Sequence, residues 1–120
     1  MSYNLEYTEE FLKSTKKLTK KYPSFKSDLQ AINDALLENP RMGTLITENV
    51  RKVRFAIKSK NKGKSGGARM ITYLTLTVDG EKEAGRLFLM TVYDKSATST
   101  IANKELKDMV DSVKKLLEEE

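Results

Sequence analysis

Apolar and polar positions change their period several times along the chain. Tyr3-Asn-Leu-Glu-Tyr7 alternates large apolar and polar residues, which is the period of a short strand with one face on a core. Thr8 follows as a helix cap, and Glu9 and Glu10 suit the positive end of a helix dipole. Phe11, Leu12, Thr15 and Leu18 then make a helical stripe with a lysine-rich outer face, broken at Tyr22-Pro23-Ser24. A second amphipathic helix begins at Phe25, runs through Leu29, Ile32 and Leu36, and stops at Asn39-Pro40. Together the two predict a helical hairpin laid on a sheet.

After a loop through Gly43 the period returns to two. Over 52–58, Val53, Phe55 and Ile57 fall on one strand face and Lys52, Arg54 and Lys58 on the other. Residues 69–77 are β-branched and aromatic, as strands favour, and Asp79-Gly80 marks a turn. Residues 86–93 are almost continuously apolar, which predicts a strand covered on both faces near the centre of the sheet. Asn103 is placed to cap a last helix with Leu106, Met109, Val110, Val113 and Leu117 on one face. The order is β-α-α-β-β-β-α and the class α+β; 120 residues suit one core, so a single domain over 1–120 is expected.

Composition narrows the chemistry. With 38% hydrophobic and 32% charged residues the mixture is globular, and no apolar run approaches the roughly 20 residues a bilayer needs. Met1-Ser-Tyr-Asn-Leu5 has neither the basic start nor the apolar stretch of an export signal, so a cytoplasmic protein is expected, with no membrane partner. Cysteine and histidine are absent, which removes the usual zinc ligands, the Cys and Ser-His nucleophiles, and the commonest proton carrier near neutral pH. No acid spacing points to magnesium, so neither a metal nor a small-molecule cofactor is expected.

The net charge of +5 is regional. Eight of the 22 basic residues lie between Asn49 and Val78, and all 17 acids lie outside that stretch. Its densest part, "KSKNKGKSGGAR" (58–69), carries five cations and three glycines. Such a region attracts polyanions, and nucleic acid is the leading class of partner; a solvated hairpin that aids solubility would carry the same charge. Gly63-Lys64-Ser65 copies the end of a phosphate-binding loop. That pattern needs a glycine where Lys58 stands and a helix afterwards, so the nucleotide reading is rejected. Gly66-Gly67 reads as a hairpin turn with positive φ. Arg69 leaves this loop into a strand, and strand pairing would hold it near Arg54 or Lys52, where a guanidinium offers a two-pronged grip on phosphate. Taken singly, an arginine at a strand end is more often a solvated rim residue; the basic strand face beside it shifts the balance.

The segments "KVRFAIKSKNKGKSGGARMITYL" and "LFLMTVYDKSATSTIANKEL" resemble the RelE/HigB group of bacterial type II toxins. Shared features are the basic strand, a Gly-Gly-x-Arg hairpin leading into an apolar strand, the Tyr93-Asp94-Lys95-Ser96 segment before the last helix, and the Asn-Pro exit of the second helix. The resemblance implies a microbial-RNase-like fold with a mainly antiparallel sheet, cleavage of messenger RNA on the ribosome with 16S ribosomal RNA contacts, and neutralisation by a cognate antitoxin. It also implies metal-independent chemistry, in which the ribose 2'-hydroxyl attacks the adjacent phosphate and leaves a cyclic phosphate and a 5'-hydroxyl.

Carried across by position, Arg69 holds the scissile phosphate, and Lys95 holds the phosphate or protonates the leaving group. Lys52 and Arg54 orient the 2'-hydroxyl or bind RNA backbone. Lys58, Lys60, Lys62 and Lys64 grip ribosomal RNA without taking part in bond breaking, and Tyr73 and Tyr93 are candidates for stacking on a base, although a strand tyrosine serves equally as core. One feature departs from the group: some members place a tyrosine near the start of the last helix, and Thr100-Ile101-Ala102 has none. Which groups complete proton transfer is therefore left open. A gyrase inhibitor of the ParE kind and a catalytically silent RNA- or antitoxin-binding module remain alternatives, since one fold hosts several activities.

Overall fold

The computed structural model describes residues 2–61, 63, 64, 66–98 and 100–119. The chain forms β1 (Ser2–Tyr7), α1 (Glu9–Lys21), α2 (Phe25–Glu38), β2 (Thr44–Thr47), β3 (Val50–Phe55), a short 3-10 turn (Lys58–Lys60), β4 (Ala68–Asp79), β5 (Lys82–Asp94) and α3 (Asn103–Glu118). The five strands make one sheet in the order β1-β5-β4-β3-β2. Strands β2 to β5 pair antiparallel with their sequence neighbours, and β1 lies parallel to β5 at one edge.

Thr8 caps α1 as its sequence position suggests, its hydroxyl accepting from the Phe11 N–H. The same hydroxyl donates to the Met90 carbonyl, which ties the cap to β5. Phe11 and Leu18 of α1 and Phe25 and Leu36 of α2 bury against Val53, Phe55, Ile57, Met70, Leu87 and Leu89 on one sheet face. On the other face α3 sets Leu106 and Val113 against Val50, Ile71, Tyr73, Phe88 and Met90. β5 thus serves two separate cores, Leu87, Leu89 and Val92 on one face and Phe88 and Met90 on the other with a register shift between, which is why its sequence lacks polar alternation.

Several expectations change. β2 is an additional strand in what reads as loop: all four of its residues are exposed, so burial leaves no periodic mark on it. Leu12 is 54% exposed and stands outside the α1 stripe. β3 ends at Phe55, and the chain turns at Lys58, which therefore leaves the basic strand face. α3 starts one residue early, with Ala102 in the cap position, so Asn103 sits inside the first turn and makes no cap bond. Gly67 is required for close approach rather than for positive φ, because a Cβ there would strike the Phe55 carbonyl. No helix among the described residues is long and apolar enough to cross a membrane.

Candidate nucleic-acid interface

Strand register brings the basic residues together. Arg54 of β3 lies opposite Arg69 of β4, which in turn lies opposite Tyr93 of β5. The adjacent row on the same face is Lys52, Ile71 and Thr91. Alternation places both rows on the face that carries α3. Like charges directly opposite one another across a strand pair oppose pairing, so the Arg54–Arg69 pair is a local cost to the sheet.

Arg69 is only 2% exposed. Its Nη1 donates to the carbonyls of Lys64 at 2.9 Å and Ala68 at 3.1 Å, so the base of the glycine-rich loop wraps the guanidinium. Burial lowers its pKa most, and the Arg54 charge lowers it further. A guanidinium starts so far above neutrality that it stays charged. Burial likewise raises the Tyr93 pKa, while Arg69 and Arg54 pull it downward. The Tyr93 hydroxyl is buried and has no hydrogen-bond partner among the described residues.

Of the remaining candidates, Lys52 is half-buried and Arg54 exposed on the same face. Lys95 is exposed in the turn after β5, where its backbone N–H donates to the Gly67 carbonyl at 3.1 Å. That bond fastens the turn to the loop two residues before Arg69, but no contact joins the Lys95 ammonium to the Arg69 guanidinium among the described residues. Lys58 and Lys64 are exposed on the loop, and Lys62 lies outside the described residues. Tyr73 is buried in the α3 core and has no face free for a base.

Lys60 differs from the other loop lysines. Its Nζ lies 2.7 Å from Asp94 Oδ1, with the lysine side chain 8% exposed and the aspartate 3%. Asp94 also accepts from the Tyr22 hydroxyl and from Ser96 Oγ at 2.8 Å, with Lys21 at 3.7 Å. Burial, the largest single influence, pushes the Asp94 pKa up; the donors Lys60, Tyr22 and Ser96 together outweigh it and hold the carboxyl well below the usual range. Lys60 thus clasps the loop to the α1 side. Sequence reading missed Asp94 because its partners Tyr22 and Lys60 are 72 and 34 residues away.

A cleft of about 520 Å³ lies between α1 and the start of α3 and includes Tyr93 and Asp94, but neither Arg54 nor Arg69 lines it. Of the basic rows only Arg54 is exposed, with Lys52 half-buried and Arg69 covered by the loop. No group of three or more acids among the described residues is placed to hold a metal ion.

No family model matches the chain. Its fold is similar to a solved structure of a mutant of the E. coli toxin RelE in the free state. The TM-score is 0.52 and the identity 22%, with 82% of this chain and 90% of that chain covered. The chain therefore has a RelE-like fold, the fold its motifs resemble.

Proposed function

We propose that the chain is the toxin of a type II toxin–antitoxin module and acts as a ribosome-dependent messenger RNA endonuclease. The observation that carries this reading is the Arg54–Arg69 pair, two guanidinium groups held opposite each other on one sheet face with Lys52 in the next row. A fold that tolerates such repulsion, with Arg69 buried and Arg54 at the surface, gains from an anion that relieves it, and a phosphodiester is an anion of the right kind.

In this reading Arg69 holds the scissile phosphate and stabilises the charge that grows as the 2'-oxygen attacks. Arg54 and Lys52 hold the ribose and the adjoining backbone, and Lys95 adds a mobile charge from the turn. Lys58 and Lys64 face outward for ribosomal RNA. A cognate antitoxin neutralises the toxin by covering the same cationic surface with an acidic segment. No step requires a metal.

The test is induction of the chain in growing bacteria, with transcript ends mapped. Cuts inside translated codons that carry 5'-hydroxyl ends, and that vanish in Arg69→Ala, are expected. Growth arrest without such cuts would remove the nuclease reading, and altered plasmid supercoiling in its place would favour gyrase inhibition.

A further inference from the structure

Among the described residues, four side-chain polar atoms are buried without a hydrogen-bond partner: Asp28 Oδ1, Asn33 Oδ1, Thr72 Oγ1 and the Tyr93 hydroxyl. Asp28 has its other oxygen engaged by Ser24 Oγ and the Lys58 N–H, and Asn33 belongs to α2. Of the four, Tyr93 is the one that stands in a strand row with two arginines. A buried hydroxyl with no partner is costly, so its retention calls for an explanation. A guanidinium could donate to the phenol oxygen but cannot accept the phenol's proton, which needs an acceptor. An anion with several acceptor oxygens, placed beside the guanidiniums, gives the phenol that acceptor.

We propose that Tyr93 is a catalytic residue, whose hydroxyl donates to the phosphodiester held by Arg54 and Arg69 and passes its proton to the departing 5'-oxygen. This role rests on the nuclease reading above. The 2'-hydroxyl loses its proton to solvent and its oxygen bonds to phosphorus. The bond from phosphorus to the 5'-oxygen breaks, its electron pair stays on that oxygen, and the oxygen takes the Tyr93 proton. The products are a cyclic phosphate and a 5'-hydroxyl, and the phenolate regains a proton from solvent.

Three features suit Tyr93 to this task. Burial keeps the phenol protonated at neutral pH, so the proton is present when it is needed, and the two guanidiniums stabilise the phenolate that remains. The ring is partly buried against the α3 core, which fixes the position of the hydroxyl. The Lys64 carbonyl that Arg69 now holds is a neutral acceptor, which an incoming phosphate displaces in favour of a charged one.

The experiment compares wild type with Tyr93→Phe in single-turnover cleavage on programmed ribosomes. One substrate carries the natural 5'-oxygen at the scissile bond, and the other carries sulfur there, a leaving group that needs no proton. Tyr93→Phe is expected to cut the oxygen substrate about 10²- to 10⁴-fold more slowly and the sulfur substrate near the wild-type rate. Equal loss on both substrates, or no loss on either, overturns the proton-donor role while the nuclease reading stands. Wild type inactive on both removes the nuclease reading and this role together. A second variant guards against a folding defect: fluorotyrosine at position 93 keeps the shape and lowers the phenol pKa, so the alkaline limb of the pH–rate profile should move to lower pH. An unmoved limb contradicts the role.

Discussion

Tyr93 and Asp94 are neighbours in β5, yet strand alternation sends them to opposite sheet faces and into two unlike clusters. On the α1 side, Asp94 gathers Lys60, Lys21, Tyr22 and Ser96 around one carboxylate. On the α3 side, Arg54 and Arg69 set like charges opposite one another, with the Tyr93 phenol beside them in the same row. The first cluster stabilises the fold and has little left to offer a ligand. The second strains the fold, and an anion relieves that strain. Both draw on the same basic stretch of sequence, so charge density alone does not separate architecture from function; the separation comes from what each cation faces.

The largest expected effect is on the clasp. Asp94→Ala leaves the Lys60 ammonium buried without its carboxylate, and a broken buried pair costs about 3–5 kcal/mol. Urea denaturation should show that loss while the cleavage rate per folded molecule stays near wild type. Lys60→Ala should also destabilise, whereas Lys58→Ala, a change on an exposed side chain, should stay within about 0.5 kcal/mol. Equal effects of Lys58→Ala and Lys60→Ala would erase the distinction between the clusters.

Next in size is Arg69→Ala, which should slow ribosomal cleavage by about 10²- to 10³-fold, the range for removing one preorganised donor from a developing charge. Acid titration probes the clasp more finely. The Asp94 pKa is depressed by folding, so its contribution to stability is complete above the unfolded value of about 3.9 and is lost as pH falls through the lower folded value. Wild type should exceed Asp94→Asn in stability at neutral pH, and the gap should narrow below about pH 4. A gap that holds constant down to pH 2 would contradict the ion-pair origin. The smallest effect concerns the outward lysines: Lys58→Ala and Lys64→Ala should each reduce the slope of log affinity for ribosomal RNA against log salt by about 0.7–0.9.

Much of the fold is written in local patterns. Thr8, Tyr22-Pro23 and Asn39-Pro40 bound two helices through caps and breakers that act within a few residues, and the apolar run of β5 announces burial on both faces. β2 left no such mark, since its exposed residues form a strand only through backbone bonds to β3. The site was half legible. Alternation in β3 set Lys52 and Arg54 on one face, and pairing β3 with β4 was enough to bring Arg69 beside them. The burial of Arg69 was not legible, because it depends on loop carbonyls folding over the guanidinium. Nor was the diversion of Lys60 to Asp94, a contact between residues far apart in sequence.

Arg54 offers the most direct test, because here stability and function demand opposite signs. Its charge opposes that of Arg69 across the strand pair and, in the proposed reaction, helps hold the RNA. Arg54→Ala should therefore raise the urea midpoint and, in the same preparation, lower the cleavage rate on programmed ribosomes. A lowered midpoint, or a rate unchanged from wild type, would show that this arginine pair is not a strained phosphate site.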